Sequence, residues 1–409
     1  MRILNFGSCN IDYVYSMDHI VRVGETQSTY ALDIFPGGKG LNQSIAIARA
    51  GTPVWHAGCV GNDGGMLTEL LADSGVDVSY LRTVDGKNGH AIIQVSAKGE
   101  NSIFLFGGSN EMVSKDFIDG VLADFDAGDI LLLQNEISNV PYIIEKAYEK
   151  GMCIVFNPSP IHENIKEIDF RMLSYIMINE VEAKEITGCD AVEGALAFFR
   201  ERYPDLRVIL TLGEQGSVYM DGDQKIRQAA FLTDAVDTTA AGDTFTGYFV
   251  SGISSGIGCA EALRMASAAV AISVSRNGAA PSIPKRCEVL ERIGGMREDR
   301  GNYKREAIQR QILSYMEEHI GDASLEGLAE LLRYSTVYTG TLVKELTGMT
   351  FCEYLQNYRC GIAAKMLLRT DLSIGEIIDR VGYENKSFFR AKFKEKYGKN
   401  PLEYRKNGG

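Results

Sequence analysis

Long apolar runs are missing from this chain. Nowhere do about 18 hydrophobic residues follow one another, which excludes an ordinary membrane-spanning helix. The opening MRILNFGSCN is broken by Gly7 and Asn10 before a signal-peptide core could form. The eight cysteines (positions 9, 59, 153, 189, 259, 287, 352 and 360) contain no CxxC. Neither a zinc site nor a disulfide framework is therefore indicated, and a cytoplasmic protein with reduced thiols and no membrane partner is expected. Repeats and low-complexity tracts are absent. The glycine spacings fit neither a Walker A loop nor the dinucleotide fingerprint.

Positive charge is short as well. With 42 Lys+Arg against 54 Asp+Glu the net charge is −12, which taken whole argues against nucleic acid. The average conceals a split. Residues 305–409 hold 16 basic and 14 acidic groups, a net of +2, whereas the 304 residues before them carry −14. Residues 380–409 alone hold nine basic and three acidic groups. Such asymmetry points to two jobs, with the basic end able to face phosphates. At 409 residues, 45% hydrophobic and 23% charged, the chain has ordinary globular composition and the length for two or three cores.

Texture changes where the charge does. Up to about Pro284, short β-branched runs (91–95, 130–133, 153–156, 208–212) alternate with helix-patterned segments such as 140–150 and Glu180–Thr187. That alternation predicts βαβ units and a mostly parallel sheet flanked by helices. After Arg286 the strand signals stop. Residues 294–302, polar and with three glycines, predict a linker. The expected organisation is a first domain at 1–293, a linker at 294–306 and a second domain at 307–409.

Two segments of the first part carry chemistry. In Asp237-Thr238-Thr239-Ala240-Ala241-Gly242-Asp243, two carboxylates flank small residues and a helix-like run begins at the second. Small side chains let N–H groups at a helix N-terminus approach an anion such as a transferring phosphoryl group. A carboxylate there can take the proton of an attacking hydroxyl; it also reads as an ordinary helix cap. In Pro36-Gly37-Gly38-Lys39-Gly40-Leu41-Asn42-Gln43, a glycine-rich turn precedes a helix over 44–50. Its glycines would let a ligand meet the backbone, while Lys39 and Asn42 supply donors and an acceptor.

These segments stand in order with Gly7-Ser8-Cys9-Asn10-Ile11-Asp12, Gly24-Glu25-Thr26, Asn157-Pro158-Ser159-Pro160, Asn179-Glu180-Val181-Glu182-Ala183, Thr211-Leu212-Gly213-Glu214-Gln215-Gly216 and Gly278-Ala279-Ala280-Pro281-Ser282-Ile283-Pro284. The whole stretch from Met1 to about Pro284 resembles the ribokinase branch of the PfkB carbohydrate kinases. The resemblance implies an α/β ribokinase-like fold, with a central mostly parallel sheet flanked by helices and a small β lid. It implies that Asn10 and Asp12 grip sugar hydroxyls, with Gly38, Lys39, Gly40 and Asn42 as the second wall and Glu136 as a further contact. Asp243 matches the catalytic base, and the amides around Ala241, Gly242 and Asp243 match the anion hole. Asn179 and Glu182 match the magnesium motif. Thr211, Leu212, Gly213, Glu214, Gln215 and Gly216 match the loop along the nucleotide, beside Asn179 and Gly242. Asp237, Thr239, Ser273, Arg276, Gly278 and Ser282 fall where potassium binds. The implied cofactors are ATP, Mg2+ and K+, and the implied substrate is a pentose phosphorylated on its terminal CH2OH. Ribose is favoured, with deoxyribose or another pentose next. A homodimer through lid strands from roughly 10–35 and 90–107 is expected.

From about Ile308 every stretch reads as helix. Leu325, Leu328, Ala329 and Leu332 recur at helical spacing, a turn follows at Tyr334-Ser335, and a second helix ends at Gly348. The arrangement returns with the capping box Ser373-Ile374-Gly375-Glu376, an apolar face of Ile374, Ile377, Ile378 and Val381, a turn over 382–385 and a basic helix over 387–397. A long helix over 351–368 joins the pairs. About 100 residues here resemble the DNA-binding domain of AraC-type transcription regulators, an all-α domain with two helix-turn-helix units. Asn385, Lys386, Arg390, Lys392 and Lys394 are the candidates for contacting double-stranded DNA, while Phe388, Phe389 and Phe393 read as core. The first recognition helix departs, with Gly340 inside it and Thr341 where the family usually has arginine. Two functions fit this fusion: an active sugar kinase that also binds DNA, or a regulator whose kinase-like domain only senses sugar. Asp243, the anion hole and the Asn179/Glu182 pair, which a sensor has no need to keep, favour the first.

Overall fold

The computed structural model describes the chain except residues 99, 297, 299, 371, 384 and 407–409, and the side chains of 300–307 and 310. Residues 297 and 299 of the expected linker, 99 of the expected lid and 384 of the second turn thus lie outside the described residues. Two compact units result, Met1–Asp299 and Arg300–Gly409. No helix of the described residues is long and apolar enough to cross a membrane.

The first unit holds strands β1 (Ile3–Phe6), β2 (Asn10–Met17), β3 (Ala31–Gly37), β4 (Val54–Val60), β5 (Asp77–Thr83), β6 (Gly89–Ser96), β7 (Asn101–Phe106), β8 (Ile130–Gln134), β9 (Cys153–Asn157), β10 (Tyr175–Asn179), β11 (Arg207–Thr211), β12 (Ser217–Asp221) and β13 (Gln224–Gln228). Nine form one sheet in the order β13-β12-β11-β10-β9-β8-β1-β4-β5. It is parallel from β11 to β5, with β12 and β13 antiparallel at one edge. Continuous apolar runs such as Ile130-Leu131-Leu132-Leu133 suit strands covered on both faces. Alternate residues supply two cores: Ile130 and Leu132 join Leu41, Ile45, Phe249 and Leu263, whereas Leu131 and Leu133 join Ile143, Leu196 and Phe199.

The sheet order reverses between β1 and β8, because the chain leaves β1 for β4 and β5 on one side and builds β8 to β11 on the other. A crevice outside the carboxyl ends of the strands is the place such a sheet offers a ligand. The last residues of β8, β9, β10 and β11 are Gln134, Asn157, Asn179 and Thr211. A separate four-stranded sheet, β3-β2-β6-β7, follows β1 and supplies the expected lid. The helix expected over 44–50 spans Lys39–Arg49 instead. Gly38 caps it at φ 96, a left-handed conformation open to glycine, and so turns strand into helix five residues early.

In the second unit, Leu325–Leu332 and Thr336–Thr347 form one helical pair and Ile374–Arg380 and Lys386–Tyr397 the other, joined by Phe351–Arg369. Each pair has its own core. The joining helix gives Phe351 and Leu355 to the first and Ala363, Ala364 and Leu367 to the second. The stretch expected as linker becomes helical at Arg300, within a helix Arg300–Glu318 whose Ile308, Ile312, Tyr315 and Met316 pack into the first core. Burial of those four outweighs the polar, glycine-containing start that argued for a loop. Arg359 ties the pairs together: its guanidinium donates to the carbonyls of Ile320 (2.8 Å), Gly321 (3.0 Å) and Gly382 (2.9 Å). Arg359→Ala should cost the helical unit about 2–3 kcal/mol, the scale of losing charged donors to partly buried carbonyls. Denaturant unfolding followed by circular dichroism should show the helical unit's transition move and the other stay.

Candidate functional site

Asp243 lies in the first turn of the helix Ala241–Ser254 and is only 7% exposed. Its Oδ2 accepts from Asn42 Nδ2 at 3.0 Å and its Oδ1 from Gln43 Nε2 at 2.9 Å. Because the helix begins at Lys39, residues 39, 42 and 43 share one face, so Lys39, Asn42 and Gln43 reach the same corner. Gln43 was not among the residues expected from sequence; the i, i+3, i+4 spacing would have found it had the helix start been read correctly. The helix carrying Asp243 is capped by Ala240 at φ 60, a conformation that costs an alanine about 1–2 kcal/mol. This turn aims the first amides of the helix at a cavity of about 260 Å³ lined by Lys39, Asn157, Asn179, Glu182, Gly242 and Asp243, among others. The expected anion hole needs one correction: Ala241 N–H donates to Thr238 O at 3.1 Å, which leaves the amides of Gly242 and Asp243 for an anion.

Across the β1/β8 crevice, Ser8 Oγ donates to Glu136 Oε2 at 2.5 Å and Lys39 N–H to the same oxygen at 3.1 Å. Burial raises the Glu136 carboxyl above its usual range despite the nearby Lys39 charge. Burial, helped by the Glu136 charge, pushes Asp12 up to about 6. Burial lowers the Lys39 ammonium, but Asp243, Glu136 and Glu182 together hold it above its ordinary value. Asn10 is oriented by a residue that sequence reasoning missed: Asn110 Nδ2 donates to Asn10 Oδ1 at 2.7 Å and leaves the Asn10 NH2 to donate. Gly40 sits within the helix against the backbone of Gly7 and Ser8, where no side chain fits.

A second cavity of about 460 Å³ adjoins Thr211, Gly213, Glu214, Gly216 and Gly242. Its other walls are apolar, with Phe231, Leu232, Phe245, Val270 and Val274. These residues carry no motif and were invisible in the sequence. Leu212 is buried in the core, and Gln215 is not among the cavity's walls. Asn179 and Glu182 form a capping box, each side chain accepting the other's backbone N–H at 2.9 and 3.0 Å, while both line the smaller cavity. Asp237 accepts from Thr239 N–H (2.8 Å) and Gly278 N–H (2.9 Å). Partial burial pushes that carboxyl up, yet these bonds bring it below its ordinary value. Ser273 and Ser282 hydroxyls bond each other at 2.8 Å. The Arg276 side chain pairs with Glu288 at 2.5 Å, so only its backbone carbonyl remains for a cation.

In the second helical pair, Lys386, Arg390 and Lys394 are exposed on the helix Lys386–Tyr397. Asn385 is the cap, its Oδ1 accepting from the N–H groups of Ser387 and Phe388 at 3.0 Å. Lys392 pairs with Glu395 at 2.8 Å. Both are thus partly committed within the protein. Phe389 and Phe393 are core as expected, but Phe388 is 43% exposed, since one residue along a helix turns a side chain about 100° off their buried face. In the first pair, Val337 (83% exposed), Tyr338 and Thr341 are exposed and uncharged, with Lys344 and Glu345 exposed one turn further along the same face.

Residues 2–286 match the model of the pfkB family carbohydrate kinases, and residues 328–407 match a helix-turn-helix domain. The chain is 36% identical to a ribokinase from Haemophilus influenzae, over 70% of this chain and 96% of that one. It superposes on a ribokinase from Cryptococcus neoformans in complex with ADP (TM-score 0.64, 35% identity, 71% of this chain and 99% of that chain). It also superposes on an Arabidopsis thaliana ribokinase complexed with ribose and ATP (TM-score 0.64, 30% identity, 71% and 98%).

The raised carboxyl of Asp12 makes a pH prediction. The group accepts hydroxyl donors on both oxygens only when ionised, so sugar affinity should fall as pH drops through about 6. Below that value KM for sugar should climb by up to ~10-fold per pH unit. Asp12→Asn should have a high KM with that step removed, which steady-state kinetics on both sides of the value would check.

Proposed function

The chain belongs to the pfkB family of carbohydrate kinases and carries a helix-turn-helix domain behind the kinase fold, and on that premise we propose that it transfers the γ-phosphoryl group of ATP to the terminal CH2OH of ribose and binds double-stranded DNA. One observation carries the reading. A buried carboxylate, Asp243, is held by two amides beside free first-turn N–H groups, with Lys39 and Glu182 on the same cavity.

The residues divide the work as follows. Asn10, Asp12, Lys39, Asn42 and Glu136 bind and orient the sugar, Asp12 and Glu136 accepting from hydroxyls that Asn10 and Lys39 complement. Asp243 takes the proton of the attacking hydroxyl. The amides of Gly242 and Asp243 receive the charge that grows on the phosphoryl oxygens. The apolar walls around Phe231, Val270 and Val274 suit the flat face of a purine, with Thr211, Gly213, Glu214 and Gly216 along the nucleotide. Glu182 and Asn179 offer hard oxygens on the cavity, a donor set that suits magnesium held through waters; magnesium, when bound, neutralises phosphate charge. Asp237 and Thr239 before the Asp243 helix, with Ser273 at the end of the next helix and Arg276, Gly278 and Ser282 after it, offer a carboxylate, hydroxyls and carbonyls, a set that suits potassium.

The lid supports a homodimer. Its edge strand β7 exposes Ile103, Phe104, Leu105 and Phe106 in succession, and β3 exposes Leu32, Ile34 and Phe35. An edge apolar on both faces invites pairing with a second copy. Lys386, Arg390 and Lys394 supply the phosphate-facing charge on DNA, and the functional boundary falls within 294–306. Cytoplasmic location follows from both partners. Sugar-dependent closure of the kinase domain as a switch on DNA affinity belongs to the same reading.

Purified protein with ATP, Mg2+ and K+ should phosphorylate one member of a pentose panel, ribose first. Asp243→Ala should cut turnover by ~10²–10⁴ while sugar-dependent thermal stabilisation persists. No turnover by the wild-type chain, with that stabilisation intact, would select the sensor function instead. On DNA, Arg390→Ala and Lys394→Ala should each weaken binding at all sequences and reduce the slope of log affinity against log salt by about 1. An unchanged slope would remove those two residues from the interface.

A further inference from the structure

Behind the catalytic corner lies a chain of buried polar side chains that the roles above leave unassigned. Gln134, the last residue of β8, is fully buried and donates twice: Nε2 to Gln43 Oε1 at 2.7 Å and to Asn5 Oδ1 at 2.9 Å. Its own Oε1 has no partner among the described residues. Two arms leave this amide. On the first, Gln43 accepts through Oε1 and can therefore offer only Nε2 forward, to Asp243 Oδ1 at 2.9 Å and Asn157 Oδ1 at 3.2 Å. On the second, Asn5 Nδ2 donates to Gly40 O and Ser44 Oγ, both at 2.8 Å. The Ser44 hydroxyl shares a hydrogen bond of 2.8 Å with His56 Nδ1. Burial draws His56 down to about 4, so the second arm ends in a ring that is neutral at ordinary pH.

The direction of the arm that ends at the Asp243 carboxylate is fixed. Turning the Gln43 amide over would set its Nε2 against Gln134 Nε2 and its Oε1 against the Asp243 carboxylate, donor to donor and acceptor to acceptor. Buried polar groups pay heavily for such mismatches. A carboxylate has about four lone-pair positions; Gln43 fills one on Oδ1 and Asn42 one on Oδ2. Only the remaining positions can face the acceptor hydroxyl.

We propose that Gln43, locked from behind by Gln134, is the positioning residue of this kinase's base: it fixes the Asp243 side chain so that a free lone pair, and not a filled one, meets the sugar hydroxyl. The proposal rests on Asp243 acting as the base. The charges that face this carboxylate are Lys39, Glu136 and Glu182; none touches the amide of Gln43 among the described bonds. Misplacing a reacting group by about 1 Å can cost ~10²-fold in rate, so the effect belongs to kcat.

Two variants test it. Gln43→Met keeps the volume and removes the amide; kcat should fall ~10²-fold with KM for sugar changed less than about 3-fold. Gln43→Glu supplies a carboxyl that donates to Asp243 when protonated, as the amide does, and repels it when ionised. Its kcat should approach that of the wild type at low pH and decline with rising pH, a limb the wild type lacks. Wild-type kcat in Gln43→Met, or a Gln43→Glu profile parallel to the wild type, overturns the proposal while leaving the kinase reading intact. A misfolded Gln43→Glu leaves the decision with Gln43→Met, whose fold is checked by thermal stabilisation with ADP. A wild-type chain without turnover overturns both, since no base then needs positioning.

Discussion

A carboxylate can be buried only where donors meet it, and in this fold both donors to Asp243 come from consecutive residues on a helix about 200 positions earlier in the chain. Much else follows from that meeting. The Lys39–Arg49 helix must begin at once after β3, which Gly38 permits. The Ala241–Ser254 helix must approach it closely, and does so at Gly247, where a side-chain carbon would lie 2.3 Å from Ala46. The two helices therefore touch one turn beyond the carboxylate, and the catalytic corner inherits the rigidity of a helix contact. Sites on such elements hold their geometry better than sites on loops.

Electrostatics explains how a negatively charged chain can handle a nucleotide at this corner. The first 304 residues are strongly acidic overall, yet around the cavity the acids are separated by task. Under the proposed roles Asp12 and Glu136 serve the sugar, Asp243 the centre and Glu182 the phosphates, and Glu136, Asp243 and Glu182 all act on Lys39. Burial, helped by the Glu136 charge, raises Asp12, and burial raises Glu136 against the pull of Lys39. Hydroxyl donors would favour the ionised form of both, while the amides at the Ala241 helix start offer donors that carry no net charge.

The fold was legible where local chemistry decides structure. The apolar strands, the capping box at Ser373 and the two helical pairs all announce themselves within a few residues. What escaped was set by distance. Gln43, Gln134, Asn5 and Asn110 are uncharged amides, common in any sequence; the first three meet only because β1, β8 and the Lys39 helix converge, and Asn110 reaches Asn10 from a segment 100 residues on. The apolar wall of Phe231, Val270 and Val274 is likewise indistinguishable from core until the cavity beside it is seen. Errors at 44–50 and 300–306 share one cause: glycine and polar residues argue for loops locally, and tertiary packing overruled them.

Ala240 favours the enzyme over the sensor on physical grounds. A left-handed alanine costs about 1–2 kcal/mol, and a sugar-binding wall does not require it. Its effect is to end the loop from Asp237 abruptly, so that the helix starts at Ala241 and the amides of Gly242 and Asp243 emerge beside the carboxylate. A glycine there would make the same turn with less strain but a looser loop, because glycine leaves more conformations to exclude. The strain is therefore tied to the precision of the anion-facing amides, which sugar binding alone does not use. The same contrast holds at the DNA end. Exposed Lys386, Arg390, Lys394 and Lys396 stand on the Lys386–Tyr397 helix, whereas the Thr336–Thr347 helix exposes Lys344 beside the uncharged Val337, Tyr338 and Thr341. The outward positive charge is thus denser on the second pair, the kind of surface that phosphate contacts use.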